Sequence, residues 1–203
     1  MLLSDRDLLS LVETDSNFIK PFSKHNLQSS SYDVTLSNEI QVLRASSAPI
    51  NISDQVAIDR IYEPKDISRG YLIKPGEYIL CRLQESISLP DDVVAFAAPR
   101  TRFTRLGLLL SGQYCNPSYS GTLSLGLRNV SNSNISLAPG LIIGQLVFCR
   151  LGEMPLEQNL YRNKADAAYQ NETDFRGSTF AGNELTGEAK DILEGMLKHF
   201  GEV

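Results

Sequence analysis

At 203 residues the chain is long enough to close one well-buried core with appended helices, and it has no need of a second domain. Apolar residues make up 42% and charged residues 21%, ordinary proportions for a globular protein. A net charge of -5 with no basic run excludes a general nucleic-acid binder, which must present a basic patch to the phosphate backbone. No stretch approaches the roughly 20 apolar residues that span a bilayer, and the start MLLSDRDLLSL makes a poor signal peptide. A cytoplasmic protein without a membrane partner is expected.

The first dozen residues read as a helix. Ser4 caps it, Asp7 stands at the capping-box position, and Leu8, Leu9, Leu11 and Val12 form its apolar face. The β region opens at Tyr32-Asp-Val-Thr-Leu, where apolar and polar residues alternate with period two. Short strands then follow at Tyr71–Ile73, Tyr78–Leu83, Val93–Ala97 and Thr122–Leu127, with a long, largely apolar one at Leu141–Leu151. Pro-Gly and Pro-Asp turns punctuate them, and no helical period interrupts, so a sandwich, jelly roll or closed barrel is expected rather than a parallel α/β sheet.

After Glu153 the chain turns polar and irregular to about residue 185, and a last helix is expected from Gly187 to Phe200. Ile192, Leu193, Met196, Leu197 and Phe200 share one face of it, which would pack on its own domain or on a sister subunit. The three cysteines, Cys81, Cys115 and Cys149, are scattered, and the only histidines are His25 and His199. That set suits reduced thiols and lacks the spacing of a zinc site, so zinc-dependent base deamination is excluded.

Three stretches carry the functional signal. The first is Gly70-Tyr-Leu-Ile-Lys-Pro-Gly-Glu-Tyr-Ile-Leu, the second Pro99-Arg-Thr-Arg-Phe-Thr-Arg-Leu-Gly-Leu, and the third Asn116-Pro-Ser-Tyr-Ser-Gly-Thr-Leu-Ser-Leu-Gly-Leu, with Pro139-Gly-Leu-Ile-Ile-Gly-Gln-Leu after it. In order and spacing the series resembles the dCTP deaminase and trimeric dUTPase superfamily, from about Leu3 to Phe180. The deaminase branch fits better, because of the N-terminal helix and Asp166-Ala-Ala-Tyr-Gln-Asn.

The resemblance implies a mainly β, dUTPase-like distorted jelly roll (β-clip) over residues 1–185, with an N-terminal helix and a C-terminal helical extension at 186–203. It also implies a homotrimer with sites between neighbouring subunits, a pyrimidine deoxynucleoside triphosphate (dCTP or dUTP) as ligand, and magnesium carried on the triphosphate. The phosphate-binding set would be Arg100, Thr101, Arg102, Arg105, Tyr119, Gln145 and Tyr169. Guanidinium forks suit bidentate phosphate contacts, and Arg100, Arg102 and Arg105 lie within six residues.

The acid-base positions depart from the pattern. The family glutamate that activates water for deamination corresponds to Gly126, and the aspartate that orients water in dUTPases corresponds to Asn116; a family lysine near the C-terminus corresponds to Ala168. Asn116 and Arg105 are what remains at the catalytic positions. From Arg100 to Gly152 no acidic residue occurs at all, and loss of a general base typically costs about 10²–10⁴ in rate. A substitute would have to come from elsewhere, such as Glu77, Glu85, Asp33, or Glu172 and Asp174 on the closing segment. Two readings follow: an enzyme of the dCTP deaminase or dUTP diphosphatase type with a relocated carboxylate, or a catalytically inactive nucleotide-binding sensor, regulatory or structural trimer.

Overall fold

The computed structural model describes residues 1–46, 49–180 and 187–200, with the backbone alone for 197–200. Helix α1 (Asp5–Thr14) is followed by the short strands β1 (Ile19–Lys20) and β2 (Leu27–Gln28), then by β3 (Ser31–Leu43), α2 (Gln55–Arg60), β4 (Tyr62–Asp66) and β5 (Tyr71–Ile73). Next come β6 (Tyr78–Ser88), β7 (Val93–Pro99), α3 (Thr101–Arg105), β8 (Leu108–Leu110) and β9 (Gln113–Cys115). Strands β10 (Ser120–Asn129), β11 (Ile135–Leu137) and β12 (Ile142–Arg150) precede α4 (Gly187–Phe200). The Ser4/Asp7 capping box forms as its sequence requires, and Leu8 is the residue α1 buries completely.

The strand pairs are antiparallel; the main sheet runs β8-β10-β6-β3-β12-β7-β9, with β1 on β6 and β2 and β4 on β3, and β5 pairs separately with β11. The architecture turns on β3. Its first half, Tyr32 to Thr35, pairs with β12, and its second half pairs with β6 and β4. One strand thus serves two sheets, which curl toward each other around a single core that includes Tyr32, Val34, Leu146 and Phe148 from one and Leu36, Ile79, Cys81 and Leu125 from the other. This is the expected jelly-roll class.

At the crossover a buried carboxylate does the work of a ladder partner. Glu85, 3% exposed, accepts the Thr35 N–H at 2.9 Å and the Thr35 hydroxyl at 2.8 Å, just before β3 begins to pair with β6. A backbone donor stranded where pairing changes hands would otherwise be buried unpaired.

Helix α2 and the turn of helix in α3 were not foreseen in the sequence. Helix α4 lies where its period placed it and is tied to the domain through Leu193, whose carbonyl accepts from Asn51 Nδ2 at 3.0 Å. Ile192 and Met196 are 55% and 48% exposed, whereas Leu193 is half-buried. The side chains of Leu197 and Phe200 lie outside the described residues.

Burial raises the Glu85 carboxyl above the ordinary glutamate range against the pull of its two Thr35 bonds. The folded state then holds the Glu85 proton more tightly than the unfolded chain, so stability falls as pH climbs from the ordinary glutamate value through the raised folded one. Glu85→Gln should flatten the dependence of unfolding free energy on pH in that window; an unchanged slope in chemical denaturation would contradict the assignment.

Candidate functional site

The arginine loop begins where β7 must stop. Pro99 has no N–H to donate to the ladder, and the chain turns through Arg100 into α3. Gly107 closes the turn at φ +84°, where an added Cβ would lie 2.9 Å from Ser131 Cβ; no other residue fits there without displacement. Arg100, Thr101, Arg102, Arg105 and Gln145 converge on one cavity of about 430 Å³.

Within this set the arginines differ in role. Arg100 forms an ion pair with Asp33, whose side chain is 2% exposed and also accepts from Gln28 Nε2 at 3.1 Å. Burial raises the Asp33 carboxyl, and the Arg100 charge opposes the shift. Gln145 Oε1 accepts from Ser31 Oγ at 3.2 Å. Among the described residues Arg102 and Arg105 form no ion pair, so two guanidinium groups face the cavity with their donors uncommitted. A local concentration of guanidinium donors of this kind can oppose the net negative charge of the chain.

A second cavity lies on the outer face of β3, β6 and β10. Along β6 the side chains of Ile79, Cys81 and Leu83 enter the core while Tyr78, Leu80 and Arg82 point away from it, and Ser124 and Gly126 of β10 share that outer side. The segment 169–179 is strapped over this face. Gln41 Nε2 donates to the Phe175 carbonyl at 2.7 Å, and Arg82 donates to the Thr173 carbonyl. The Tyr62 hydroxyl accepts the Ser178 N–H at 3.0 Å, and that of Tyr169 accepts the Thr179 N–H at 2.9 Å. Beneath the strap remains a space of about 450 Å³, bordered by Tyr78, Ser111, Ser124, Gly126, Tyr169, Glu172 and Arg176 among others. It shares no lining residue with the arginine cavity.

At Gly126 a side chain would have to displace Tyr78. A Cβ built there would stand 2.0 Å from the Tyr78 hydroxyl oxygen and 2.6 Å from its ring. The aromatic ring of Tyr78 therefore fills the volume that a carboxylate at this position would need.

A family model described as dCTP deaminase-like matches residues 2–151. The chain belongs to this family. Among curated relatives, the "dCTP deaminase, dUMP-forming" of Nocardioides sp. is 34% identical over 183 residues, covering 88% of this chain and 93% of the relative. The protein of that name from Thermobifida fusca is 32% identical over 199 residues, covering 96% and 99%. The crystal structure of 2'-deoxycytidine 5'-triphosphate deaminase from Agrobacterium tumefaciens superposes with a TM-score of 0.61 at 24% identity, over 74% of this chain and 48% of that one. The last likeness concerns the fold.

Against the family pattern, Arg100, Thr101, Arg102, Arg105 and Gln145 are brought together, and Tyr169 lines the other cavity with Gly126. Asn116 and Tyr119 line neither. The main-chain carbonyl of Asn116 accepts the Tyr119 N–H at 3.2 Å. Tyr119 is buried against Tyr161, and its hydroxyl has no hydrogen-bond partner among the described residues. Tyr62, Tyr78, Arg82 and Arg176 were not singled out from the sequence. Tyr78 could have been found by setting β6 against β10, but the register shift between Thr122 and Ser124 hides which residues face the same way.

Gly126→Glu should be destabilising by about 1–3 kcal/mol, the usual cost of overpacking, because Tyr78 must leave. Combined with Tyr78→Ala, the loss should be smaller than the sum of the two single losses by about 1 kcal/mol. Additive losses in denaturant unfolding would show that the ring does not occupy the Gly126 space.

Proposed function

We propose that this chain is an enzyme of the dCTP deaminase kind, which binds a pyrimidine deoxynucleoside triphosphate, dCTP or dUTP, and removes the 4-amino group from dCTP. The observation that carries the reading is the arginine cavity: Arg102 and Arg105 line it with no ion pair among the described residues, beside Thr101 and Gln145, in a chain of this family. A triphosphate supplies the oxygens that such donors require. Magnesium enters with the triphosphate as part of the substrate. Among the described residues no cluster of three His, Cys, Asp or Glu would hold a metal of its own.

The pyrimidine ring is assigned to the strap-covered cavity over Gly126. Because the two cavities have no lining residue in common, one nucleotide is taken to bridge the strap cavity of one subunit and the arginine loop of a neighbour in a homotrimer. The curated relatives carry a name that describes conversion of dCTP to dUMP, which supports deamination as the reaction class. A second reading, binding without turnover in a regulatory or structural trimer, is favoured by one observation, the absence of any side chain at Gly126.

Removing a charge-assisted phosphate contact costs about 1.5–3 kcal/mol, so Arg105→Ala should weaken binding of magnesium-dCTP about 10- to 100-fold. Calorimetry with dCTP and dUTP checks this, with ammonia, phosphate and pyrophosphate assayed in parallel. Equal affinity of Arg105→Ala and the natural chain, or no binding of either nucleotide by the natural chain, would overturn the proposal.

A further inference from the structure

A family deaminase without a carboxylate at position 126 still requires a group that takes the proton from the attacking water. The carboxylates nearest in sequence to the β core are already engaged. Asp33 is held by Arg100 and Gln28, Glu85 by Thr35, and Glu77 by the Tyr71 hydroxyl and the Lys74 N–H. Asp174 points into solvent, with its side chain 81% exposed. Glu172 differs from all of these. It is 9% exposed, and it is the one acidic residue among those lining the cavity that contains Gly126 and Tyr78.

We infer that Glu172, carried by the closing strap instead of the β core, is the general base of the strap-covered cavity. The inference rests on the nucleotide reading above and names the residue that would carry out its chemistry.

The backbone holds this carboxylate in place. The Glu172 carbonyl accepts the Thr122 N–H at 3.1 Å, and the Asn171 N–H donates to the Ser120 carbonyl at 2.7 Å, so the residue is stitched to the start of β10, the strand that bears Gly126. Gly121, at φ +151°, lets the two segments close: a Cβ there would stand 3.0 Å from the Glu172 nitrogen. The side chain spends only one weak bond within the strap, an oxygen accepting the Arg176 N–H at 3.3 Å, which leaves acceptor capacity for a water.

The surrounding charges suit the role. Arg176 on the strap, itself 4.0 Å from Asp174, and Arg82 on β6, itself paired with Glu39 at 2.8 Å, both act on the carboxylate, as do the phenols of Tyr119 and Tyr161. Tyr78 and Tyr169 complete the wall. Burial raises the Glu172 carboxyl above the ordinary glutamate range, with Arg176 and Arg82 opposing the shift; a base is most effective when its pKa lies near the working pH. Arg82 and Arg176 stay protonated and cannot substitute for it, and burial pushes the Tyr78 phenol upward, away from the anionic form.

In the step itself the water oxygen bonds to C4 of the 4-aminopyrimidine while the Glu172 carboxylate takes one proton from that water and passes it to ring N3, which returns Glu172 to its ionised form. The resulting C4 hydroxyl gives up its proton and the amino nitrogen gains one. The C4–N bond then breaks, ammonia leaves, and the ring keeps the oxygen as a carbonyl. Water and the amine balance oxygen and ammonia, with no change of oxidation state.

The test is Glu172→Gln in the full chain with magnesium-dCTP, read by ammonia release and by calorimetry. The amide keeps an acceptor for the Arg176 N–H, so binding should stay within about threefold while kcat falls about 10²–10⁴-fold. The acid limb of the natural chain's kcat profile should inflect above the ordinary glutamate range. Glu172→Asp, with its carboxylate drawn back by one methylene, is the second variant and should keep that acid limb at reduced kcat. Turnover of Glu172→Gln within threefold of the natural chain overturns the inference, as does equal loss of kcat in both variants. Binding of dCTP by the natural chain without ammonia release overturns it while leaving the nucleotide site standing. Failure of the natural chain to bind any pyrimidine nucleotide overturns the underlying reading as well.

Discussion

The ring of Tyr78 lies across the Cα of Gly126, and the outer face of the sheet is organised around that contact. The alternation of β6 sends Tyr78, Leu80 and Arg82 to the side away from the core, and β10 offers no side chain at Gly126 to dispute the space. The sheet therefore contributes shape, aromatic surface and hydroxyls to the cavity, but no acid. Any carboxylate has to arrive from a different part of the chain. The strap provides one at Glu172, and Gln41, Tyr62 and Arg82 hold the strap over the sheet through hydrogen bonds to its backbone.

Charge is divided along the chain in the same sense. Between Arg100 and Gly152 there is no acidic residue, so the arginine loop and β10 lie in a stretch that meets negative charge only from other parts of the fold. Asp33 supplies it to Arg100 from β3. That pair orients one guanidinium by a buried contact and leaves Arg102 and Arg105 directed at the cavity. Strand β3 thus joins both halves of the architecture. Its first half carries Asp33 beneath the arginine loop, its second half carries Gln41 beneath the strap, and Glu85 secures the point where it changes sheets.

Much of this was legible in the sequence because it depends on local rules. The Ser4/Asp7 capping box, the period-two run at Tyr32, the Pro-Gly turns and the clustered arginines each carry their structural meaning within a few residues. The family resemblance placed Gly126 where an acid would be expected and so exposed its absence. What could not be read depends on pairing across long distances. Tyr78 and Gly126 lie 48 positions apart in number and meet through a register that a bulge shifts. The Asp33–Arg100 pair joins residues 67 positions apart, one on β3 and one just past the end of β7, two strands that both pair with β12. Among the five candidate substitute carboxylates, burial and engagement separate Glu172 from the rest, and neither property is written in the identity of the residue.

The central claim is that one nucleotide is shared between a strap-covered base cavity and a neighbour's arginine loop. A crystal structure of the full chain with magnesium and a non-hydrolysable dCTP analogue tests it most directly, through the position of the pyrimidine C4 atom. The account predicts C4 beneath the closed strap, beside Tyr78, with a water bridging it to the Glu172 carboxylate by ordinary hydrogen bonds and the triphosphate on Arg102 and Arg105 of an adjacent copy. A pyrimidine ring outside that cavity, or a Glu172 carboxylate turned away from C4 with no water between them, would contradict it.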